Sequence, residues 1–147
     1  MKQKILIFLY NFLAFCARIY IFRHNIQVIA ITGSVGKTSC RMVVAEVLEQ
    51  IQKPVSEDRF RIYTSPKNYN SELGLVFSVF QIEDYHPSIK NLLKLSGKIF
   101  LRAFFGKKNT DILVAEYGID APKDMEHLLK VAHPDIAVLT KLDSVHS

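Results

Sequence analysis

Residues 31–40 read ITGSVGKTSC, and whether they form a phosphate-binding loop decides how the rest of the chain is read. The widespread nucleotide-binding pattern is a glycine, four residues, then Gly-Lys-Ser/Thr. That spacing asks for glycine at position 31, where Ile31 stands; the first glycine is Gly33. The flanks therefore carry the argument. Upstream, IQVIAIT at 26–32 is short and rich in β-branched residues, as expected of a buried strand in a parallel sheet. Downstream, CRMVVAEVLEQIQ places Met42, Val43, Val47, Leu48 and Ile51 at the spacing of one helical face, with Pro54 marking the end. Strand, glycine turn and helix together form the context in which backbone N–H groups and a helix dipole hold an anion. Gly33, Ser34, Val35 and Gly36 then make the turn. Lys37 is expected to meet the outer phosphates of a nucleotide, Thr38 to offer its hydroxyl to Mg²⁺, and Ser39 to assist at the helix start.

The same alternation continues along the chain. SELGLVFSVFQ at 71–81 reads as a helix, and so does the segment from Pro87 to Phe105, with Leu92, Leu93, Leu95, Ile99, Phe100 and Phe104 as its apolar positions. DILVAEYG at 111–118 reads as a second buried strand. PKDMEHLLKVA at 122–132 reads as a helix with Pro122 in its first turn, and PDIAVLT at 134–140 as a third strand. The expected fold is α/β: a doubly wound, mainly parallel sheet of the P-loop NTPase type, preceded by an apolar helix. Ligands of such sheets bind beyond the carboxyl ends of the strands, where Gly33, Glu116 and Thr140 would meet. Glu116, at a strand end beside the loop, is placed to hold Mg²⁺ directly or through water; without the loop it would read as a surface residue.

The chain has 147 residues, 49% hydrophobic and 22% charged, which suits a globular domain and excludes a disordered or fibrous one. Its formal charge of +5 is compatible with a polyanionic partner but does not demand one. Cys16 and Cys40 have no metal-ligand spacing and suggest a reducing, cytoplasmic compartment. Residues 5–22, ILIFLYNFLAFCARIYIF, are apolar and flanked by Lys2, Lys4 and Arg23. They suit a helix attached to the inner face of a membrane, spanning or interfacial, or equally one packed on the domain. Lys98, Arg102, Lys107 and Lys108 form a basic cluster that either meets phosphates or lipid headgroups or is simply a solvated face.

Four separated stretches then align with one family. ITGSVGKTS at 31–39, TSPKNYNSELGL at 64–75, ILVAEYGIDAPKDMEHLLKVAHPDIAVLT at 112–140 and DSVHS at 143–147 together resemble the central ATPase domain of the Mur ligases. That family uses a short Gly-x-x-Gly-Lys-Thr-Thr/Ser loop, which accounts for the glycine spacing. The resemblance divides the chain into an apolar, basic N-terminal helix at 1–25 and an ATP-binding domain at 26–147. It implies an ATP- and Mg²⁺-dependent amide ligase of peptidoglycan precursor synthesis. In such a ligase the carboxylate of a UDP-muramoyl peptide becomes an acyl phosphate, which an amino substrate such as D-Ala-D-Ala attacks. By motif, Lys37 holds the outer phosphates, Thr38 and Glu116 serve magnesium, and His146 is a second magnesium ligand. Asn68 and Asn70 line the nucleotide and acceptor side; as residues alone they read equally as turn formers before the helix at Ser71.

The departures from the family are also informative. Residues 1–25 contain no counterpart of the family's UDP-recognition domain, and its later central elements and C-terminal domain have none either, so these 147 residues are expected to be part of a ligase. Lys141 stands where the family usually has a small or amide residue. Two other functions compete: a membrane-tethered nucleotide-binding or scaffold subunit without ligase activity, and a GTPase. TKLD at 140–143 resembles a guanine-reading motif, yet the loop spacing and the lack of an Asp-x-x-Gly switch speak against the GTPase.

Overall fold

The computed structural model describes residues 2–52, 59–83, 85 and 88–142. The elements run α1 (Lys2–His24), β1 (Gln27–Thr32), α2 (Lys37–Gln52), β2 (Ile62–Thr64), α3 (Glu72–Phe80), α4 (Ile89–Phe105), β3 (Ile112–Glu116), α5 (Asp124–Val131) and β4 (Ile136–Leu139). The strands form one parallel sheet in the order β2-β3-β1-β4. Parallel neighbours require crossovers, and helices supply them. The sheet therefore has helices on both faces, as a doubly wound α/β fold requires.

Register and pleat decide which residues face which layer. Val28 and Ala30 of β1 pair with Leu113 and Ala115 of β3, and all four join the larger core under α1, α3, α4 and α5. Ile29 pairs with Val114, and both turn to the opposite face, where Ile31, Ala45, Val44 and Leu48 complete a smaller core under α2. Ile31 pairs with Glu116, so the alternation of two carries this carboxylate to the α2 side of the sheet.

The α2 face differs from the one expected. Met42, Val43, Val47 and Ile51 are exposed, while Arg41 and Ala45 are buried and Leu48 is half-buried. The sheet-facing stripe is Thr38, Arg41, Ala45 and Leu48, spaced three and four apart as helix geometry demands. Two of its members are polar, so an apolar count alone selects the wrong face. In α4, Leu92 and Ile99 are buried as expected, but Leu93 and Phe100 are exposed.

Two element boundaries also change. The short edge strand β2 has no counterpart in the sequence reading. It is held by pairing with β3 and by a charged clasp, in which the Arg61 backbone N–H and Nε donate to Asp111 Oδ2 at 2.8 and 2.9 Å. Lys108 Nζ lies 2.8 Å from Asp111 Oδ1. Helix α5 begins at Asp124 rather than around Pro122, because Lys123 at the N-cap has φ 78°, a left-handed conformation that interrupts the helix there.

Hydrogen bonds from Arg61, with further help from Lys108, hold the Asp111 carboxyl far below the ordinary carboxylate range. A depressed folded-state pKa stabilises the fold above the unfolded value near ~4 and loses that contribution as pH falls below it. Asp111→Asn is therefore expected to lower stability at pH 7 by about 1 kcal/mol. It should also flatten the acid limb of a urea-midpoint profile below about pH 4. An unchanged acid limb would refute this role for the clasp.

Helix α1 is part of the domain. Leu13, Cys16, Ala17 and Tyr20 are fully buried, and Leu9 and Ala14 nearly so. The Tyr20 hydroxyl lies 2.9 Å from the Lys107 carbonyl and 2.7 Å from Asn109 Oδ1. The helix is long and apolar enough to cross a membrane, yet this face is core to the protein.

Candidate functional site

The loop between β1 and α2 turns on two glycines in conformations that L-residues rarely adopt, Gly33 at φ 134° and Gly36 at φ 88°. At Gly33 space is also decisive. A Cβ there would lie 2.2 Å from Thr140 Oγ1 and 3.1 Å from the Lys141 carbonyl oxygen. The end of β4 thus supports the loop from beneath. Ser34 N–H donates to the Lys141 carbonyl at 2.7 Å, and Thr140 Oγ1 lies 2.8 Å from the Val35 carbonyl and 3.1 Å from that of Thr32. The contact at Lys141 is made by its backbone, so a departure from the family's usual side chain there leaves the support intact.

Lys37 opens α2 and folds back over the turn, its Nζ donating to the Gly33 carbonyl at 2.7 Å. One residue on, Thr38 Oγ1 donates to Glu116 Oε2 at 2.9 Å, joining the first turn of α2 to the end of β3. Ser39 is exposed in the same turn. The residues read from sequence as loop, lysine, threonine and acid therefore occupy one end of the sheet.

Arg41 was not anticipated. It is buried together with Glu116, and its Nε lies 3.8 Å from Glu116 Oε2. Its Nη1 donates to the Ser65 carbonyl, tying the loop after β2 to α2, while its Nε has no hydrogen-bond partner. A buried carboxylate needs a counter-charge, and Arg41 supplies one at the cost of an unsatisfied N–H. The sequence signal is its position three residues after Thr38, on the sheet-facing stripe.

Asn70 and Asn68 separate. Asn70 accepts the Gly118 N–H through its carbonyl at 2.8 Å and lines a cavity of about 280 Å³ beyond β3 with Glu72, Asp120, Asp124 and His127. Asn68 is exposed and is not among the residues lining that cavity. In the cavity wall, the backbone N–H groups of Asp120 and Ala121 donate to Asp124 Oδ2 at 3.0 and 2.7 Å, which lowers that carboxyl's pKa. His146 lies outside the described residues. Of the basic cluster, Arg102 donates to the Phe80 carbonyl and Lys108 pairs with Asp111, so both serve the fold.

The donor set suits magnesium. Among the described residues no group of three or more His, Cys, Asp or Glu converges. Mg²⁺ takes one or two protein oxygens and completes its shell with water and substrate phosphates, and the Thr38–Glu116 pair offers that kind of partial, hard-oxygen site.

Comparison with known proteins identifies the family. The model of the Mur ligase middle domain matches residues 31–147. The UDP-N-acetylmuramoyl-tripeptide--D-alanyl-D-alanine ligase of Bacillus subtilis is 25% identical over 130 residues, covering 88% of this chain and 21% of the relative. The ligase of the same name from Mycobacterium leprae is 29% identical over 122 residues, covering 83% of this chain and 17% of the relative. The Treponema pallidum ligase is 25% identical over 118 residues, covering 80% and 19%. The chain thus spans about a fifth of the length of these relatives. With the family model matching well over half of its residues, on a parallel α/β sheet of the expected kind, the chain belongs to the Mur ligase middle-domain family.

Proposed function

We propose that this chain is the ATP-binding part of an ATP-dependent amide ligase of peptidoglycan precursor synthesis. The observation that carries the reading is the bond from Thr38 to Glu116 at the mouth of the loop. It brings a hydroxyl and a carboxylate together one residue from Lys37, where a nucleotide's β- and γ-phosphates would lie on the helix N-terminus.

In this reading Gly33, Ser34, Val35 and Gly36 present backbone N–H groups to the phosphates, and Lys37 exchanges its loop carbonyl for phosphate oxygen. Ser39 supports the helix start. Thr38 and Glu116, with His146, hold magnesium, which neutralises charge on the transferring phosphoryl group. A carboxylate oxygen of the acceptor attacks the γ-phosphorus, the bond to the β-phosphate oxygen breaks, and ADP leaves. The amine then attacks the acyl carbon of the new acyl phosphate, and the tetrahedral intermediate expels inorganic phosphate. Asn70, with Asn68 nearby in the chain, lies on the acceptor side. The named relatives suggest a UDP-muramoyl peptide as acceptor and D-Ala-D-Ala as amine. The place of action is the cytoplasm, at the inner face of the membrane.

Lys37→Ala is expected to reduce Mg²⁺-dependent binding of a fluorescent ATP analogue and, in the complete ligase, to lower phosphate release on the order of 10²-fold or more. That release should require both the muramoyl peptide and the amine; undiminished turnover in Lys37→Ala would refute the assignment. Competition separates the alternatives. A GTPase would prefer GTP, and a scaffold subunit would bind nucleotide without substrate-dependent phosphate release.

A further inference from the structure

The outward face of α1 has the wrong chemistry for a helix that packs on a soluble domain. Its buried side is accounted for by the core, yet Phe8, Phe15 and Phe22 recur every seven residues on the opposite side, 68%, 53% and 90% exposed. Seven residues are almost two turns, so the three rings form one ridge. Lys4 and Arg18 are exposed on that same ridge. Phe12 carries the apolar surface sideways onto α4, stacking on Phe100 at 6.1 Å between ring centroids. Along α4, exposed Leu101 and Phe105 continue it, interleaved with exposed Lys90, Lys94 and Lys98.

Charge gives the partner. Of the chain's 19 Lys and Arg residues, α1 and α4 hold four each, and none of its 14 Asp and Glu residues lies in either helix. The chain's positive charge is thus concentrated on this pair of helices. An apolar ridge flanked only by cations complements a surface that is anionic outside and apolar just beneath, which describes a bilayer containing anionic lipid. We propose that the α1–α4 face is a monotopic docking surface for such a bilayer. The helix lies in the interface and does not span it, because Leu13, Ala17 and Tyr20 on its other side are fully buried in the domain core. The proposal stands independently of the ligase reading, since it involves none of the loop residues.

The chain contains no tryptophan, so one introduced ring is an unambiguous reporter. The full chain carrying Phe15→Trp is mixed with vesicles of phosphatidylcholine alone or with 30% phosphatidylglycerol, at 0.05 and 0.5 M NaCl. The anionic vesicles at low salt are expected to shift the emission to the blue, and brominated acyl chains to quench it. Val47→Trp, on α2 across the sheet, should show neither change. Lys94→Glu with Lys98→Glu should weaken partitioning at least about tenfold, and so should the higher salt. Phe15→Asp should abolish co-sedimentation; if that variant does not fold, the tryptophan reporter still decides.

Absence of binding to anionic vesicles would overturn the proposal, as would equal binding to neutral ones. So would an equal response from Val47→Trp. A stable dimer that Phe15→Asp dissociates, without vesicle binding, would assign the ridge to a second copy of the chain instead.

Discussion

Arg41→Met is expected to destabilise the fold by about 3–5 kcal/mol, the loss typical when one partner of a buried ion pair is removed. Glu116 would be left buried without a counter-charge, and the Ser65 carbonyl would lose its donor. Equilibrium urea unfolding followed by circular dichroism measures the change. The double variant Arg41→Met/Glu116→Gln separates two explanations. If charge burial causes the loss, removing the carboxylate's charge should restore most of the stability, whereas a packing defect at position 41 should persist. Arg41→Lys is expected to recover only part, because a single ammonium cannot serve both Ser65 and Glu116 as a forked guanidinium does. Stability unaltered in Arg41→Met would show that the pair contributes nothing.

The second large effect is expected at the loop. Gly33→Ala meets two separate obstacles: a φ of 134°, which costs an L-residue about 1–3 kcal/mol, and a Cβ only 2.2 Å from Thr140 Oγ1. The variant should lose nucleotide binding, since the overlap can be relieved only by lifting the loop off β4 or by moving β4. Removing the obstructing hydroxyl in Gly33→Ala/Thr140→Ala should restore the part due to overlap and leave the part due to φ. Gly36→Ala makes a useful contrast, because a Cβ there would meet nothing within 4 Å and only the conformational cost remains. Unfolding midpoints and analogue binding should rank Gly33→Ala as the more damaging. The reverse order would refute the support by β4.

Much of this arrangement was legible in the sequence because it rests on local chemistry. The β-branched runs at β1 and β3 announce strands buried on both faces, and the Gly-x-x-Gly-Lys-Thr turn between strand and helix announces the loop. Ser71 caps α3, its Oγ accepting the Gly74 N–H at 3.3 Å, near the start expected from sequence. What escaped depends on contacts across the sheet. The three residues of β2 have no periodicity of their own; pairing with β3 and the Arg61–Asp111 clasp define them. The α2 stripe differs from the apolar pattern because its sheet-facing positions include Thr38 and Arg41, the residues that meet Glu116. Sites spend polar residues where a purely structural helix would place leucine, so hydrophobic periodicity is least informative next to the chemistry. The sequence reading took residues 5–22 as one apolar stretch, and the structure shows that Phe8, Phe15 and Phe22 within it are exposed, away from the core.

The dependence of α1 on distant partners has a consequence in time. Its buried side is covered by α3, α4 and α5, and α4 ends roughly 80 residues after α1 does. At translation rates of about 5–20 residues per second, that interval lasts about 4–16 s. During it, this long apolar helix is already synthesised with its inner side incompletely covered, so that face competes for lipid as well as the outer one. Folding then becomes a sorting step: the arrival of α4 withdraws one face into the protein and leaves the other for the interface.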